Sequence, residues 1–530
     1  MNKIKKFLNK FYLDRNEKEF IRHNKKIFIP KPNRSKPLVL MELNESSANL
    51  ISYSYMASIL EKKYDATIYS FIPNVPRSFF KKSMWELRRI FGYKTLRIFK
   101  SFGTDRLIIP SISGPMKIEV NDIFQKKISF IKTKDDLENL TIFGILFGDL
   151  IYDYYLNYYK EPEIDLSSKK FRQHLRFCIG LIVFWNSYIK NNDVKAISVS
   201  HTVYSNAIPS RIANNYDLPS YQTTVEDIFL LTKDRLFAYT EFKDFRSVFQ
   251  NLPANIKRQG ISKAKERVEA RFSGKVGVDM SYSKKSAFGN KLDFRLIKKS
   301  SNIKILVAPH CFFDSPHPFG NNLFPDVLEW LNELVKISKK TNYDWYVKTH
   351  PDFLQVTKNV VDNFFRDEPN FTILPSNSSH NQIIDEGINF ALTMYGSIGF
   401  EYAAKNIPVI NASLNNPHIA YDFNINPKSR AEYTDVLMKL ESIEHPIVLK
   451  DVYEYYFMKN IYYQKSWLFH DHDEVLNYVG GYHGQFTSLI FKYWLETWNI
   501  ETHNNLLLSL ELFIDSKEYK LDSKNLYKTT

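Results

Sequence analysis

Residues 389–411, NFALTMYGSIGFEYAAKNIPVIN, decide the fold class. The apolar run 389–393 ends in Tyr395-Gly396-Ser397, a helical stretch follows over 398–405, and 407–410 is again apolar and β-branched. A strand apolar on both faces must be covered on both faces, and a parallel return needs a crossover, so the stretch predicts a βαβ unit. The alternation continues outward through strand 304–308, helix 323–340, strand 345–348, helix 354–366, strand 372–374 and helix 379–386. It recurs earlier as strand 38–43, a helix to about Lys62, strand 66–71, helix 168–190, strand 196–199, a short helix to about Tyr216 and an extended 218–223. The expectation is α/β: two Rossmann-like, doubly wound domains facing a cleft, with ligands outside the carboxyl ends of the strands. The first domain is placed at 37–224 and the second at 301–449. A Lys/Arg-rich linker region, 225–300, joins them. A basic arm, 1–36, precedes them, and a helical aromatic tail, 450–530, is read as crossing back onto the first domain.

The 530 residues, 44% hydrophobic, suffice for two cores. Only 17 Gly and 22 Pro exclude collagen-like and low-complexity chains and any fold leaning on repeated Gly-rich phosphate loops. Two distant cysteines, Cys178 and Cys311, exclude a disulfide scaffold and a Cys-rich zinc site and fit a reducing compartment. No apolar run reaches the roughly 18 residues of a membrane span, and no cleavable leader is read at the N-terminus. The chain is expected to be cytoplasmic.

Charge is uneven: residues 1–36 hold 12 Lys/Arg against 3 acids, so +9 of the net +14 lies there. Ile4, Phe7, Leu8, Phe11 and Tyr12 fall on one helical stripe among lysines, a pattern suited to an anionic membrane surface on the inner face of the plasma membrane. Residues 77–106 form a second such segment, with nine bases against two acids and interleaved Phe79, Phe80, Trp85 and Phe99. No nucleic-acid-binding signature accompanies either, so no nucleic acid partner is expected.

Polar residues gather at the strand ends of the second domain: His310 and His317 after the first strand, Lys348 and His350 after the second, Ser397, Gly399 and Glu401 after the fourth, and Asn415 and His418 after the fifth. Strand ends of one parallel sheet converge on one ligand. Ser397 opens a helix whose free N–H groups favour an anion, Lys348 and His350 add a charge and a donor, and Glu401 suits ribose hydroxyls. A nucleotide sugar is the expected occupant, as co-substrate rather than cofactor.

Lys348-Thr349-His350-Pro351, followed by Ser397-Ile398-Gly399-Phe400-Glu401-Tyr402-Ala403-Ala404 and Ile407-Pro408-Val409-Ile410, resembles the paired K-x-H-P and S-x-G-x-E-A motifs of bacterial surface-carbohydrate glycosyltransferases with the GT-B fold. Capsule polysaccharide β-Kdo transferases are the group it resembles most, and here Tyr402 stands between the Glu and the Ala. More distant similarity extends to bacterial sialyltransferases and wall teichoic acid glycerophosphotransferases. The resemblance covers mainly 303–430. It implies donor-phosphate contacts from Lys348 and His350 and nucleotide contacts from Ser397, Gly399 and Glu401. It further implies a CMP- or UDP-linked donor and a glycan or glycolipid acceptor in capsule or lipopolysaccharide biosynthesis.

No Glu-x7-Glu pair surrounds Glu401, which favours inversion at the anomeric carbon. Asp471-His472-Asp473 reads as a solvated turn and Asp385-Glu386-Gly387 as a helix cap, so no metal site is expected. Inversion needs a general base from the first domain. Glu45, after the first strand, is the first choice, with Asp149 and His201 as alternates. A UDP-sugar 2-epimerase-like enzyme and a non-catalytic polysaccharide assembly protein are the other readings.

Overall fold

The computed structural model describes residues 10–28, 37–74, 83, 85, 92–289, 291–352, 355–463 and 466–522. A six-stranded sheet contains β1 (Leu38–Glu42), β2 (Thr67–Phe71), β3 (Thr104–Ile108), β6 (Val194–Val199), β7 (Ser220–Thr223) and β8 (Ile228–Leu231), in the order β3-β2-β1-β6-β7-β8. All its pairs are parallel except β7 with β8. Strands β4 (Thr141–Ile142) and β5 (Ile145–Leu146) form a separate hairpin. The second sheet, β9 (Lys304–Val307), β10 (Asp344–Val347), β11 (Phe371–Ile373), β12 (Phe390–Thr393) and β13 (Val409–Asn411), is wholly parallel in the order β11-β10-β9-β12-β13. The chain is therefore α/β with two doubly wound, Rossmann-like sheets.

The pleat explains the layering. Val39 and Met41 belong to the core that includes helix Ser47–Tyr64, and Leu40, between them, to the core that includes helix Lys169–Asn191. In both sheets the chain order reverses beside a central strand, β1 or β9, and a crevice opens outside the carboxyl ends there.

Three parts of the sequence reading change. The linker region of 225–300 contributes β8 to the first sheet, because Ile228, Phe229 and Leu231 are apolar enough to be buried antiparallel to β7. Helix Arg15–Ile27 of the arm is part of the body. Asp14 and Glu17 close a capping box at its start, and Phe20 stacks on Phe491 at 4.3 Å in the core. The stripe's Ile4, Phe7 and Leu8 lie outside the described residues, whereas Tyr12 is 72% exposed. In the 77–106 segment, helix Lys94–Lys100 buries Leu96 and Phe99 in the same core, and most of 75–91 lies outside the described residues. The tail helices Leu489–Thr497 and Ile500–Ser516 lie against the 47–64 helix, where Tyr55 pairs with His503 at 3.0 Å. Among the described residues, no helix is long and apolar enough to cross a membrane.

Candidate functional site

The carboxyl ends of β9, β10 and β12 open into a cavity of about 350 Å³ that brings together His310, Lys348, His350, Ser397 and Glu401. Because Val347 points into the core of the second domain, the next residue, Lys348, points away from that core and into the cavity. Lys348 is 2% exposed and its Nζ has no hydrogen-bond partner among the described residues. Burial pulls its pKa down to about 8, with the negative charge of Glu401 opposing.

His350 accepts the Asp352 N–H on Nδ1 at 3.1 Å, so its proton sits on Nε2 and is free to donate. Its pKa is lowered, first by the surrounding protein and then by Lys348. His310 lies 4.2 Å from the Tyr395 ring centroid, and burial lowers its pKa to about 4. Both imidazoles are neutral near pH 7, so among the described residues the cavity's uncommitted positive charge is Lys348. The helix behind Ser397, Ile398–Ala403, has six residues, so its dipole adds little to that charge.

Glu401 is buried and accepts Arg271 Nε on Oε1 at 2.8 Å, with Arg271 Nη2 on the same oxygen. Arg271 belongs to helix Ala254–Phe272, inside the region read as linker, and no motif marks it in the sequence. His380 also lines the cavity, and its Nδ1 pairs with Tyr402 Oη at 2.8 Å. That bond gives a structural reason for the tyrosine that interrupts the Glu-Ala motif.

Four expected donor contacts lie elsewhere. Gly399 packs under His418: a Cβ there would overlap the His418 ring, which is buried among Phe400, Phe423 and Tyr455. Asn415 bonds to Lys243 at 3.0 Å and to the Asn321 carbonyl at 3.1 Å, away from the cavity. His317 is buried between the domains, with Nδ1 2.6 Å from Asp153 and Nε2 3.2 Å from Glu138. Burial alone lowers its pKa, but the two carboxylates outweigh that and hold it well above the ordinary histidine value. Among the acidic motifs, Asp471 caps helix His472–Tyr478 and Glu386 accepts the Leu296 and Ile297 N–H groups.

On the first-domain side, Glu45 is 51% exposed in its side chain and ion-paired with Lys10 at 3.2 Å, outside the cavity. Asp149 forms a fully buried bidentate pair with Arg211, both bonds at 2.6 Å, which removes it as a base. The carboxyl that matters at the end of β1 is Glu42. It accepts Ser200 N at 2.7 Å, Ser200 Oγ at 2.8 Å and Asn206 Nδ2 at 2.6 Å, and so anchors the loop after β6. Burial raises its pKa to about 7 against those three bonds.

That loop carries His201, which is exposed, and Tyr204, whose hydroxyl donates to Asp314 on the wall of the cavity. Tyr204 sits at φ +55°, a costly conformation for an aromatic residue, and is held there by its bond across the crevice. The pKa of His201 is lowered by the surrounding protein while Asp314 pulls it upward. Of the three proposed bases, His201 is the one beside the cavity wall.

No family model matches the chain, and no curated protein does. Solved structures similar to it include the β-Kdo 2,4 transferase of Thermosulfurimonas dismutans KpsC, at 10% identity and a TM-score of 0.30 over 50% of this chain and 79% of that one. The UDP-GlcNAc 2-epimerase of Neisseria meningitidis bound to UDP-GlcNAc is 12% identical, with a TM-score of 0.22 over 79% and 97% of the two chains. The UDP-GlcNAc 2-epimerase of Methanocaldococcus jannaschii with UDP-GlcNAc and UDP is 9% identical, with a TM-score of 0.23 over 79% and 97%. Similarity at this level assigns no reaction to the chain.

Proposed function

We propose that the chain is an inverting glycosyltransferase that moves a sugar from a CMP- or UDP-linked donor to a glycan or lipid-linked acceptor in bacterial capsule or lipopolysaccharide biosynthesis. The observation that carries this reading is the buried, unpartnered ammonium of Lys348 at the switch point of a parallel sheet, which a donor phosphate would neutralise. His350 Nε2–H supplies a second donor to the leaving phosphate. Neutral His201 takes the acceptor proton as the acceptor oxygen bonds to the anomeric carbon and the bond to the donor phosphate breaks. Asp314 steadies the imidazolium that forms. The protein works at an anionic membrane surface. Lys18, Arg22, Lys25, Arg97 and Lys100 line one cleft of about 330 Å³, and none of them has a carboxylate partner among the described residues.

The test is nucleotide release from a panel of nucleotide sugars with a membrane-lipid extract as acceptor. Transfer with release of free nucleotide is expected, falling about a hundredfold or more in His201→Asn with donor binding unchanged. Conversion of the donor to an epimer would overturn the transfer reading, and undiminished transfer by His201→Asn would remove the base. Equal co-sedimentation with neutral and anionic liposomes would remove the membrane partner.

A further inference from the structure

β3 is the outermost strand of the first sheet. From its carboxyl end the chain turns through Pro110 and Ile112 into helix Gly114–Phe130, which lies against the 169–191 helix. Between the two helices is a groove of about 330 Å³ with Ile112, Val120, Phe177, Gly180 and Leu181 in its walls. Two exposed cations, Lys117 and Arg176, border it. Neither has a carboxylate partner among the described residues, and Arg176 instead rests on the Phe124 ring at 4.4 Å.

Helix 114–130 is thinly seated, burying Val120 and Phe124 while Ile118 is 66% and Phe130 74% exposed. Because β3, β2, β1, β6 and β7 are parallel, Pro110 and Ile112, just past the carboxyl end of β3, put the start of the groove at the end of the sheet where the ligand crevice lies. The cationic cleft of Arg97 and Lys100 ends four residues before β3 begins, so a five-residue strand of about 17 Å separates it from the groove. The cleft lies on the face of the sheet that carries the 15–27 and 94–100 helices and the groove on the opposite face, so the groove is a separate site whose own cations must hold an anionic head.

We propose that this groove holds one hydrocarbon chain of a phosphate-bearing amphiphile, the lipid of the acceptor, with its phosphate on Lys117 and Arg176. Its role as an acceptor subsite rests on the transferase reading, whereas binding of the amphiphile does not. An apolar trough lengthwise between two helices selects a chain, and two unpaired cations at its rim select an anionic head.

Octyl, nonyl and decyl phosphate, titrated calorimetrically into the full chain below their micelle concentrations, test it. Affinity is expected to rise about fourfold per methylene, and decanol to bind at least about tenfold more weakly than decyl phosphate. A Cβ on Gly180 would make an ordinary 3.7 Å contact with Ile112, so Gly180→Ala should keep binding, whereas Gly180→Leu fills the groove and should abolish it. The double variant Lys117→Glu with Arg176→Glu should erase the preference for phosphate over alcohol, and it decides the matter where Gly180→Leu does not fold. Affinity independent of chain length, or unchanged in Gly180→Leu, would overturn the proposal. So would a dimer that Gly180→Leu dissociates while the native chain ignores alkyl phosphates, which would give the groove to a second copy. UDP and CMP titrations into the same protein keep the two readings apart. Alkyl phosphate binding without any nucleotide binding would leave the groove standing and remove the transferase.

Discussion

Lys348 buries an ammonium with no partner among the described residues, a costly arrangement that a bound phosphate would reverse. The sign of its pH dependence follows from a pKa of about 8: below that value the free site is charged and ready for an anion, and above it binding must first recover a proton. UDP affinity should therefore fall as pH rises beyond about 8, and Lys348→Met should bind roughly tenfold to a hundredfold more weakly with no such dependence. Calorimetric titrations of both proteins across that range check it, and a native profile as flat as that of Lys348→Met would remove Lys348 from the phosphate site. His310, at about 4, does not titrate there and leaves the slope to Lys348.

At the scale of elements, the six-residue helix Ile398–Ala403 is held in place by what crowds it. Tyr402 ties it to helix His380–Asp385 through His380, Glu401 ties it to the 254–272 helix through Arg271, and Gly399 lets the His418 ring rest against its backbone. Gly399→Ala should accordingly cost about 1–3 kcal/mol through overpacking. His418→Ala leaves a cavity and is itself destabilising, but in that background Gly399→Ala should cost little further, since the ring it would overlap is gone. Urea denaturation of the single and double variants measures the coupling. Additive losses would show that the glycine serves something other than this contact. The loop after β6 follows the same logic, because Glu42 anchors one end and the bond from Tyr204 to Asp314 the other, so His201 is presented at the crevice on a short, doubly fixed segment.

At the scale of the whole molecule, the two domains are joined by buried charge. Lys134 meets Asp326 at 3.3 Å and Glu329 at 2.7 Å, Tyr152 donates to Asp326, Ser315 to Asp153, and His317 sits between Asp153 and Glu138. With its pKa raised, His317 contributes stability that is complete below its unfolded value near 6.5 and lost as pH rises through its higher folded value. His317→Gln leaves two buried carboxylates without their cation and should cost about 3–5 kcal/mol near neutral pH. Its melting temperature should also lack the alkaline decline of the native chain. Scanning calorimetry of both proteins at a series of pH values reads this directly, and parallel curves would show that His317 is not the charged centre of the interface.

Much of this is legible in the amino-acid sequence. The strands of the second domain fall where their apolar runs stop, because burial on both sheet faces writes a continuous apolar signal, and Lys348, His350, Ser397 and Glu401 share a cavity because strand ends of a parallel sheet must converge. β3 and β8 carry no such signal: β3 is a half-exposed edge strand with Asp105 and Arg106 at its centre, and β8 is four residues inside a charged region. Arg271, Asp314 and Glu42 acquire their places through contacts from 130, 110 and 158 residues away, which no local pattern encodes. Likewise Gly399, His418 and His317 carry the residue types of a ligand site but are spent on packing and on the domain interface. Residue type and spacing determined which strand ends could carry chemistry. Which side chains there remain free for a ligand was decided only by tertiary packing, because a partner distant in the sequence either commits a polar group or leaves it unpaired.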